Sequence, residues 1–529
     1  MQKLWLGATL AAIALLCGRP AAAQVRIVSV TGGRVGGVTA DGITSFKGIP
    51  FAAPPVGQLR CRDPQPVRPW TGVKQADHFA PGCIQDTNFF FKPFGLLPAI
   101  SEDCLYLNVW TPARSARTRL PVMVWIYGGG FAGGATRFPV FDGTRLARKG
   151  VVLVSIAYRT GVFGFLSDPQ LSAESPRHVS GNYGLHDMIA ALMWVQGNIS
   201  RFGGDPSRVT IFGQSAGGDA VGMLAQSPLA RGLFQRGIAE SGSTFYLDDE
   251  DFTTLQRAQQ AGQSFLAKLG ATSIAAARRL DARVLFKTQG PWTGQGSFKP
   301  RVVTSEEFPG DGHRLYQTHR FNDTPVLIGW NFDEGSLFVP ARTSPSQFGA
   351  QVRAKFGPFA ARVLAMYPHA TETESSRAAL DLFRDTEMAW GAWTWAKLQS
   401  ENGKSEAYLY YFDRRSPHAP LGPAHTAEVG YVFGTLTAPG LPGRLISPPG
   451  PADIALSELI QSYWVNFART GNPNDPGLPQ WPAFGPLSQR VMYLDAHPHA
   501  GPVPNLRQIQ VFDADFAWLR KEAKKKSAN

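Results

Sequence analysis

Residues 209–218 read VTIFGQSAGG, and this stretch decides the fold. Its first four residues are β-branched or aromatic and predict a short buried strand, and residues 219–225 can continue as a helix. Between them, residues 213–217 have the pattern G-x-S-x-G in the strand–turn–helix context of a nucleophile elbow. Such a sharp turn strains the serine backbone, and a side chain two residues before or after it would collide with neighbouring segments. Ser215 is therefore a candidate nucleophile that needs a base, an acid and an oxyanion hole.

The composition is that of a globular protein with a large core. The chain has 529 residues, of which 43% are hydrophobic and 17% are charged. Its formal net charge is +12, and residues 520–526 contain five basic residues and one acidic residue. No basic stripe alternates with aromatic residues, so we expect a solvated basic surface and no nucleic-acid partner.

The first residues have the pattern of an export signal. Lys3 precedes an apolar run at 4–16, and small residues at 21–23 provide a cleavage site before Gln24. The apolar run is short for a membrane span, and no later stretch is long and apolar enough for one. We predict a signal peptide at 1–23, cleaved near Ala23, and a secreted or periplasmic protein with no integral membrane segment.

The rest of the chain predicts a single α/β domain at 24–519 and a basic tail at 520–529. Continuous apolar runs predict strands covered on both faces of a mostly parallel sheet, at 121–127, 151–158, 325–329 and 407–412. Helical spacing occurs at 182–199 and 456–469, and polar helices at 250–290 are predicted to cap the edge of the sheet. The alternation indicates a central sheet with helices on both faces and helical cap insertions.

Two histidines are candidates for the base. A serine hydroxyl needs a base to take its proton and a third group to hold that base. A loop after a core strand is the expected place, which selects His418 and His425 after the strand at 407–412. His425 precedes an apolar stretch at 431–433 and is favoured, but spacing alone leaves both open.

Two carboxylates compete for the role of the acid. Asp333 and Glu334 follow the predicted strand at 325–329, and the carboxyl end of such a strand is where a triad acid belongs. Periodicity does not choose between them.

A glycine run at 128–130 is the candidate oxyanion hole. It follows a core strand, and glycines let backbone N–H groups approach a substrate closely. Residues 128–133 also match the dinucleotide fingerprint G-x-G-x-x-G, which should open a helix and meet an acidic residue after the next strand. Pro139 breaks the following segment and the next strand ends in Tyr158-Arg159, so we predict no nucleotide cofactor. H-E-x-x-H is absent and the cysteines lack ligand spacing, so we predict no metal site.

These motifs resemble those of the type B carboxylesterases, the group of α/β-hydrolases that includes the cholinesterases. The similarity extends from about Val25 to the C-terminal region. It is carried by EDCLYLN at 102–108, by FGGDP at 202–206 together with GQSAG at 213–217, and by WVNFARTGNPN at 464–474 followed by Trp481-Pro482. Several separate motifs of this length make the resemblance to the family specific, and we expect an exported, bacterial-type member.

The resemblance implies an α/β-hydrolase fold, hydrolysis of small-molecule carboxylic esters through an acyl-enzyme, and no cofactor. The triad that it implies is Ser215, His425 as general base and then acid, and Glu334. The oxyanion donors that it implies are the N–H groups of Gly129, Gly130 and Ala216. The residues that it implies behind the triad are Ser241 and Glu428. Cys17 leaves with the signal, so at most one internal bridge forms; the implied bridge joins Cys83 and Cys104 and leaves Cys61 as a buried thiol.

The chain departs from the family at positions that bear on the substrate. Gln214 stands where the family usually has Glu. The loop between Cys83 and Cys104 lacks the tryptophan that binds cations in cholinesterases, and it carries Phe89, Phe90, Phe91 and Phe94. These rings either pack against the gorge wall or line an apolar entrance. We expect small to medium, apolar or aromatic esters.

A second hypothesis is a catalytically silent binding or adhesion protein on the same fold. Members of that kind have lost a triad residue, whereas all three positions are filled here, which disfavours this alternative. The sequence leaves the oligomeric state open.

Overall fold

The structure is a computed structural model that describes residues 25–92, 96, 99–245, 252–291, 294, 296–415, 421–438 and 448–528, with side chains up to residue 521. The predicted signal peptide at 1–23, Phe94, His418 and most side chains of the tail lie outside the described residues. The implied triad and oxyanion residues lie within them.

The chain folds around a large β-sheet with eleven strands. In chain order these are β1 (Val38–Ala40), β2 (Ile43–Pro50), β3 (Tyr106–Thr111), β4 (Leu120–Ile126), β5 (Val152–Ile156), β6 (Gly204–Gln214), β7 (Arg236–Glu240), β8 (Val326–Asn331), β9 (Ala407–Phe412), β10 (Arg490–Leu494) and β11 (His499–Pro502). Their order across the sheet is β11-β10-β9-β8-β7-β6-β4-β5-β3-β2-β1. The neighbours from β10 to β5 in this row are parallel, and antiparallel pairs form both edges. The predicted mostly parallel α/β sheet is confirmed.

Several of the central strands form from sequences that are almost entirely apolar. Every residue of β5 and β9 is buried, as expected where helices cover both faces. The strands predicted from such runs are present as β4, β5, β8 and β9. Strand order reverses around β4, where β5 lies on one side and β6 on the other; in open α/β sheets, ligands bind beyond the carboxyl ends of strands at such a point.

Helices make up much of the remaining chain that the structure describes. The longer ones are α1 (Tyr183–Asn198), α2 (Ala216–Gln226), α3 (Leu255–Lys268), α4 (Ala282–Gln289), α5 (Pro345–Phe356), α6 (Glu372–Phe383), α7 (Trp390–Asn402), α8 (Pro451–Thr470) and α9 (Leu506–Ala528). Shorter helices span Thr87–Phe90, Thr144–Arg148, Gly161–Phe165, Pro169–Glu174, Ile274–Arg279, Gly312–Gln317, Ala360–Met366 and Val429–Phe433. Strands outside the main sheet span Ile27–Val30, Gly33–Gly36, Val73–Gln75, Gly82–Cys83, Ile100–Ser101, Phe252–Thr253 and Val302–Val303. Helices α1, α2, α7 and α8 contact strands of the main sheet directly.

The helices within residues 250–290 pack differently from the predicted cap on the sheet edge. They pack mainly on residues 162–183, which follow β5, and form a second, smaller core that includes Phe265 and Leu285. The apolar side chains of α3 and α4 therefore have a partner other than an edge strand. None of the helices in the described ranges combines the length and apolar character needed to cross a membrane.

Candidate active site

The turn between β6 and α2 has the geometry of a nucleophile elbow. Ser215 has φ 56° and ψ −130°, a conformation that costs free energy for a residue with a side chain. Its backbone N–H donates to Glu240 O at 2.8 Å, which fixes the turn against β7. The two glycines of the motif are required sterically: a Cβ at Gly217 would lie 2.1 Å from Ile126 O, and one at Gly213 would lie 2.5 Å from the Gly217 backbone. The crowding expected from the sequence is present.

Glu334 lies at the carboxyl end of β8, where a short turn begins, and is fully buried. Its Oε1 accepts hydrogen bonds from Asn331 N at 2.6 Å and from Ser241 Oγ at 2.7 Å. Its Oε2 lies 2.6 Å from His425 Nδ1. Both oxygens of this carboxylate therefore have partners, and one of them faces the candidate base.

The neighbouring Asp333 is also buried but has a different partner. Its Oδ1 lies 3.3 Å from Arg377 Nη1, and burial raises the pKa of this carboxyl despite that positive charge. Sequence periodicity could not choose between these two carboxylates. The structure distinguishes them by the direction of their side chains: Glu334 points to His425 and Asp333 points to Arg377.

His425 follows β9 in a loop that is hydrogen-bonded to the Glu334 turn. The side chain is buried, and its Nε2 lies 3.1 Å from the amide nitrogen of Gln214. Asn331 Nδ2 donates to Ala424 O at 2.9 Å, so β8 holds the residue just before the histidine. The structure thus brings Glu334, His425 and Gln214 together beside the elbow.

The glycine run after β4 lies against the same turn. Gly129 and Gly130 have φ of 117° and 59°, which glycine adopts without strain. A Cβ at Gly128 would lie 3.0 Å from Ser215 Cβ, which measures how closely the two segments approach. The N–H groups of Gly129, Gly130 and Ala216 have no hydrogen-bond acceptor within the described ranges. Three donors are therefore available next to the serine.

The disulfide loop braces this glycine run. Cys83 and Cys104 form the bridge that the resemblance implied, and Cys61 is a buried free thiol. Gln85 exchanges two hydrogen bonds of 2.7 Å with the backbone of Gly134. The phenylalanines of this loop differ in exposure. Phe90 and Phe91 are buried, as expected of rings that pack against a wall, whereas Phe89 is 43% exposed.

Two further buried carboxyls lie near Glu334 and His425. Glu428 accepts a hydrogen bond from Asn331 Nδ2, and burial together with the charge of Glu334 raises the pKa of Glu428 to about 7. Glu240 accepts from Trp464 Nε1 at 2.7 Å, and burial and the nearby Glu428 raise the pKa of Glu240 well above its usual range. The raised pKa of Glu240 favours its neutral form, and a neutral Glu240 adds less negative charge near Glu428.

Sequence reasoning named Ser241 and Glu428 but not Glu240, Asn331 or Trp464. Glu240 is the register partner of Gln214 in the neighbouring parallel strand, a relation that becomes visible only once the strand order is known. No group of three or more side chains able to hold a metal ion occurs within the described ranges.

Comparison with known proteins gives one consistent result. The model of the carboxylesterase family matches residues 24–512. Fumonisin B1 esterase of Sphingopyxis macrogoltabida is 39% identical over 469 residues, which cover 85% of this chain and 83% of the relative. Para-nitrobenzyl esterase of Bacillus subtilis (strain 168) is 35% identical over 486 residues, which cover 89% and 95%. A solved PNB esterase structure has a TM-score of 0.80 at 33% identity and covers 92% of this chain and 99% of its own.

The family match extends over nearly the whole chain, and the similar structures share the α/β-hydrolase sheet. The named relatives are esterases, so the silent binding protein is not favoured. The chain belongs to the carboxylesterase family, and it is a serine esterase that hydrolyses carboxylic esters.

Proposed function

We propose that the esterase reaction proceeds through a triad of Ser215, His425 and Glu334 and an acyl-enzyme intermediate. The observation that supports this most is the 2.6 Å contact between His425 Nδ1 and Glu334 Oε2, beside a serine at a strained elbow. The contact orients the imidazole so that Nδ1 carries its proton and Nε2 remains available as a base.

In the first step Ser215 Oγ attacks the ester carbonyl carbon while His425 Nε2 takes the hydroxyl proton. The carbonyl oxygen becomes an oxyanion, which the N–H groups of Gly129, Gly130 and Ala216 stabilise. Collapse of the tetrahedral intermediate breaks the C–O bond to the alcohol, which leaves with the proton from His425.

In the second step water attacks the acyl carbon. His425 Nε2 takes a proton from the water and returns it to Ser215 Oγ as the carboxylic acid leaves. Glu334 accepts the hydrogen bond from Nδ1–H in both steps and does not take that proton. Ser241 and Asn331 position Glu334, and Glu428 positions Asn331, so these are positioning residues.

We also propose small to medium esters with apolar or aromatic groups as substrates. The exposed ring of Phe338 packs against the His425 ring in a T-shaped arrangement, with centroids 5.0 Å apart. Phe89 offers a second exposed ring in the disulfide loop. Apolar surface beside the base favours substrates that bury hydrocarbon, and one relative is named a para-nitrobenzyl esterase.

Covalent labelling tests the triad. A fluorophosphonate should add one phosphonyl group per chain, and peptide mass spectrometry should place it on Ser215. Labelling should stop after denaturation, because an isolated serine hydroxyl is not activated. A label on another residue, or none on an active preparation, would contradict the assignment.

Gln214 leads to a prediction about pH. Neutral His425 presents a lone pair at Nε2, and an amide N–H of Gln214 can donate to it at 3.1 Å. A carboxylate can only accept, so Gln214→Glu should stabilise the protonated imidazole, which is inactive as a base. We expect the acid side of the kcat/KM–pH profile to move to higher pH by about one unit, with little change at pH 9.

Two variants control for this shift. Gln214→Leu removes the hydrogen bond without adding charge, and Gln351→Glu adds the same charge at an exposed position of α5. Because the lost bond favours the neutral imidazole, Gln214→Leu should move the acid side to higher pH by less than Gln214→Glu does, and Gln351→Glu should leave it in place. An unmoved profile in Gln214→Glu, or an equal shift in Gln351→Glu, would show that the Gln214 contact does not act on the base.

The remaining proposals concern export and domain division. We propose a signal peptide at 1–23, a single hydrolase domain at 24–519, a basic tail at 520–529 and a secreted or periplasmic location. The Cys83–Cys104 disulfide supports this, because such bonds persist in oxidising compartments. The N-terminal sequence of the exported protein should begin at Gln24, and a start at Met1 would contradict cleavage.

A further inference from the structure

A cleft on the α3 side of the molecule has two walls that are joined by a hydrogen bond. Its volume is about 400 Å³, a size typical of small-molecule sites. Helix α3 forms one wall and residues 296–301 form the other. Lys268 Nζ on the first wall donates to Gly296 O on the second at 3.1 Å. The cleft is therefore already formed in the free protein.

The floor of the cleft is aromatic. It consists of Phe165 and Phe265, which are buried, and Phe298, which is partly buried. The rings of Phe265 and Phe298 pack edge to face with centroids 5.8 Å apart, and Phe165 packs 5.3 Å from Phe131. Because these contacts hold the rings, a ligand could bury hydrocarbon on them without reorganising the protein.

The rim of the cleft is positively charged. Its four cations are exposed: Arg257, Lys268, Lys299 and Arg301. None of the described residues that line the cleft is acidic. Arg257 and Arg301 form no ion pair within the described ranges, whereas Arg283 on the nearby α4 pairs with Asp281 at 2.8 Å. The like charges of Arg257 and Arg301 repel each other, and a bound anion would relieve that repulsion.

We propose that this cleft binds a carboxylate with an apolar body, such as a medium-chain fatty acid. The phenylalanine floor would bury the hydrocarbon, and the guanidinium groups of Arg257 and Arg301 would hold the carboxylate. Hydrolysis of apolar esters releases acids of this class. None of the described residues that line the cleft belongs to the proposed triad or to the candidate oxyanion hole, so the proposal does not depend on the assignment of the catalytic residues.

The test is titration of the full-length protein with decanoate, followed by calorimetry. We expect saturable binding to the wild type and a Kd at least about tenfold higher for R257Q/R301Q. The matched control R279Q/K287Q removes two exposed cations outside the cleft and should leave the Kd within about twofold. The uncharged decanamide should bind at least about tenfold more weakly than decanoate, and added salt should reduce that difference.

A further variant asks whether this chain's own acidic segment occupies the cleft. Residues 248–251 read DDED, precede α3 and lie outside the described residues. Decanoate should bind the wild type and D248N/D249N/E250Q/D251N alike. Binding only to that variant would overturn the proposal, as would an equal Kd in wild type and R257Q/R301Q or equal affinity for decanoate and decanamide. Circular dichroism and thermal melting verify that each variant is folded, and hydrolysis of p-nitrophenyl acetate should be unchanged in R257Q/R301Q.

Discussion

Replacement of Ser215 by alanine is expected to lower kcat for p-nitrophenyl butyrate by at least about ten-thousandfold while the protein stays folded. The hydroxyl is the attacking group of the proposed mechanism, and alanine leaves no nucleophile at that position. The Ser215 side chain is partly exposed and makes no hydrogen bond within the described ranges, so its removal should cost little stability. Alanine keeps the Cβ, and the strain at φ 56° is unchanged. Steady-state kinetics and a thermal melt measure both effects.

Ser241→Ala is the matched control for this prediction. It removes the same hydroxyl group from a buried serine, the one that donates to Glu334 Oε1. Asn331 N donates to the same oxygen, so Glu334 keeps a partner and should stay in place. We expect a loss in kcat below about a hundredfold and retained phosphonate labelling, since Ser215 is still activated. Turnover at the wild-type rate in Ser215→Ala, or an equal loss in both variants, would refute the nucleophile assignment.

Several central strands could be predicted because their apolar composition indicates burial on both faces of the sheet. β4 and β9 consist of aliphatic and aromatic residues, β5 contains one serine among aliphatic residues, and such runs have few alternatives to a covered parallel strand. β7 was not predicted because it is short and has charged residues at both ends, Arg236 and Glu240. Its strand conformation follows from its place between β6 and β8, which is information that a local pattern does not contain.

Site residues could be predicted where the backbone requires one residue type. They could not be predicted where the direction of a side chain determines its partner. The elbow requires glycines on both sides of the nucleophile, so the glycines around Ser215 identify it as the candidate. Asp333 and Glu334 are adjacent in one turn, and their side chains point to different partners, Arg377 and His425. The helices at 250–290 could be predicted as helices, but their partner lies more than sixty residues earlier in the chain.

The second large effect is expected for Glu334→Gln, which should lower kcat by about a thousandfold or more at neutral pH. Glu334 accepts on both oxygens, from Ser241 and Asn331 on one and from His425 on the other. Glutamine has a single carbonyl oxygen. If that oxygen keeps the first two donors, an NH₂ group faces Nδ1, and the imidazole proton moves to Nε2. The histidine can then no longer take the serine proton, although the shape of the site is preserved.

Asp333→Asn makes the same chemical change one residue earlier and separates loss of the triad from loss of a buried charge. Burial already raises the pKa of Asp333, so removal of its charge gives up little electrostatic stabilisation. Its partner Arg377 retains Asp381, with Nη2 and Oδ1 2.5 Å apart. We therefore expect kcat close to the wild-type value and only a modest fall in the urea midpoint of unfolding.

Phosphonate labelling should be slow in Glu334→Gln and fast in Asp333→Asn, because only the former leaves the serine without its base. Equal losses of kcat in the two variants would mean that a general effect of buried charge, and not the orientation of His425, accounts for the role of this turn.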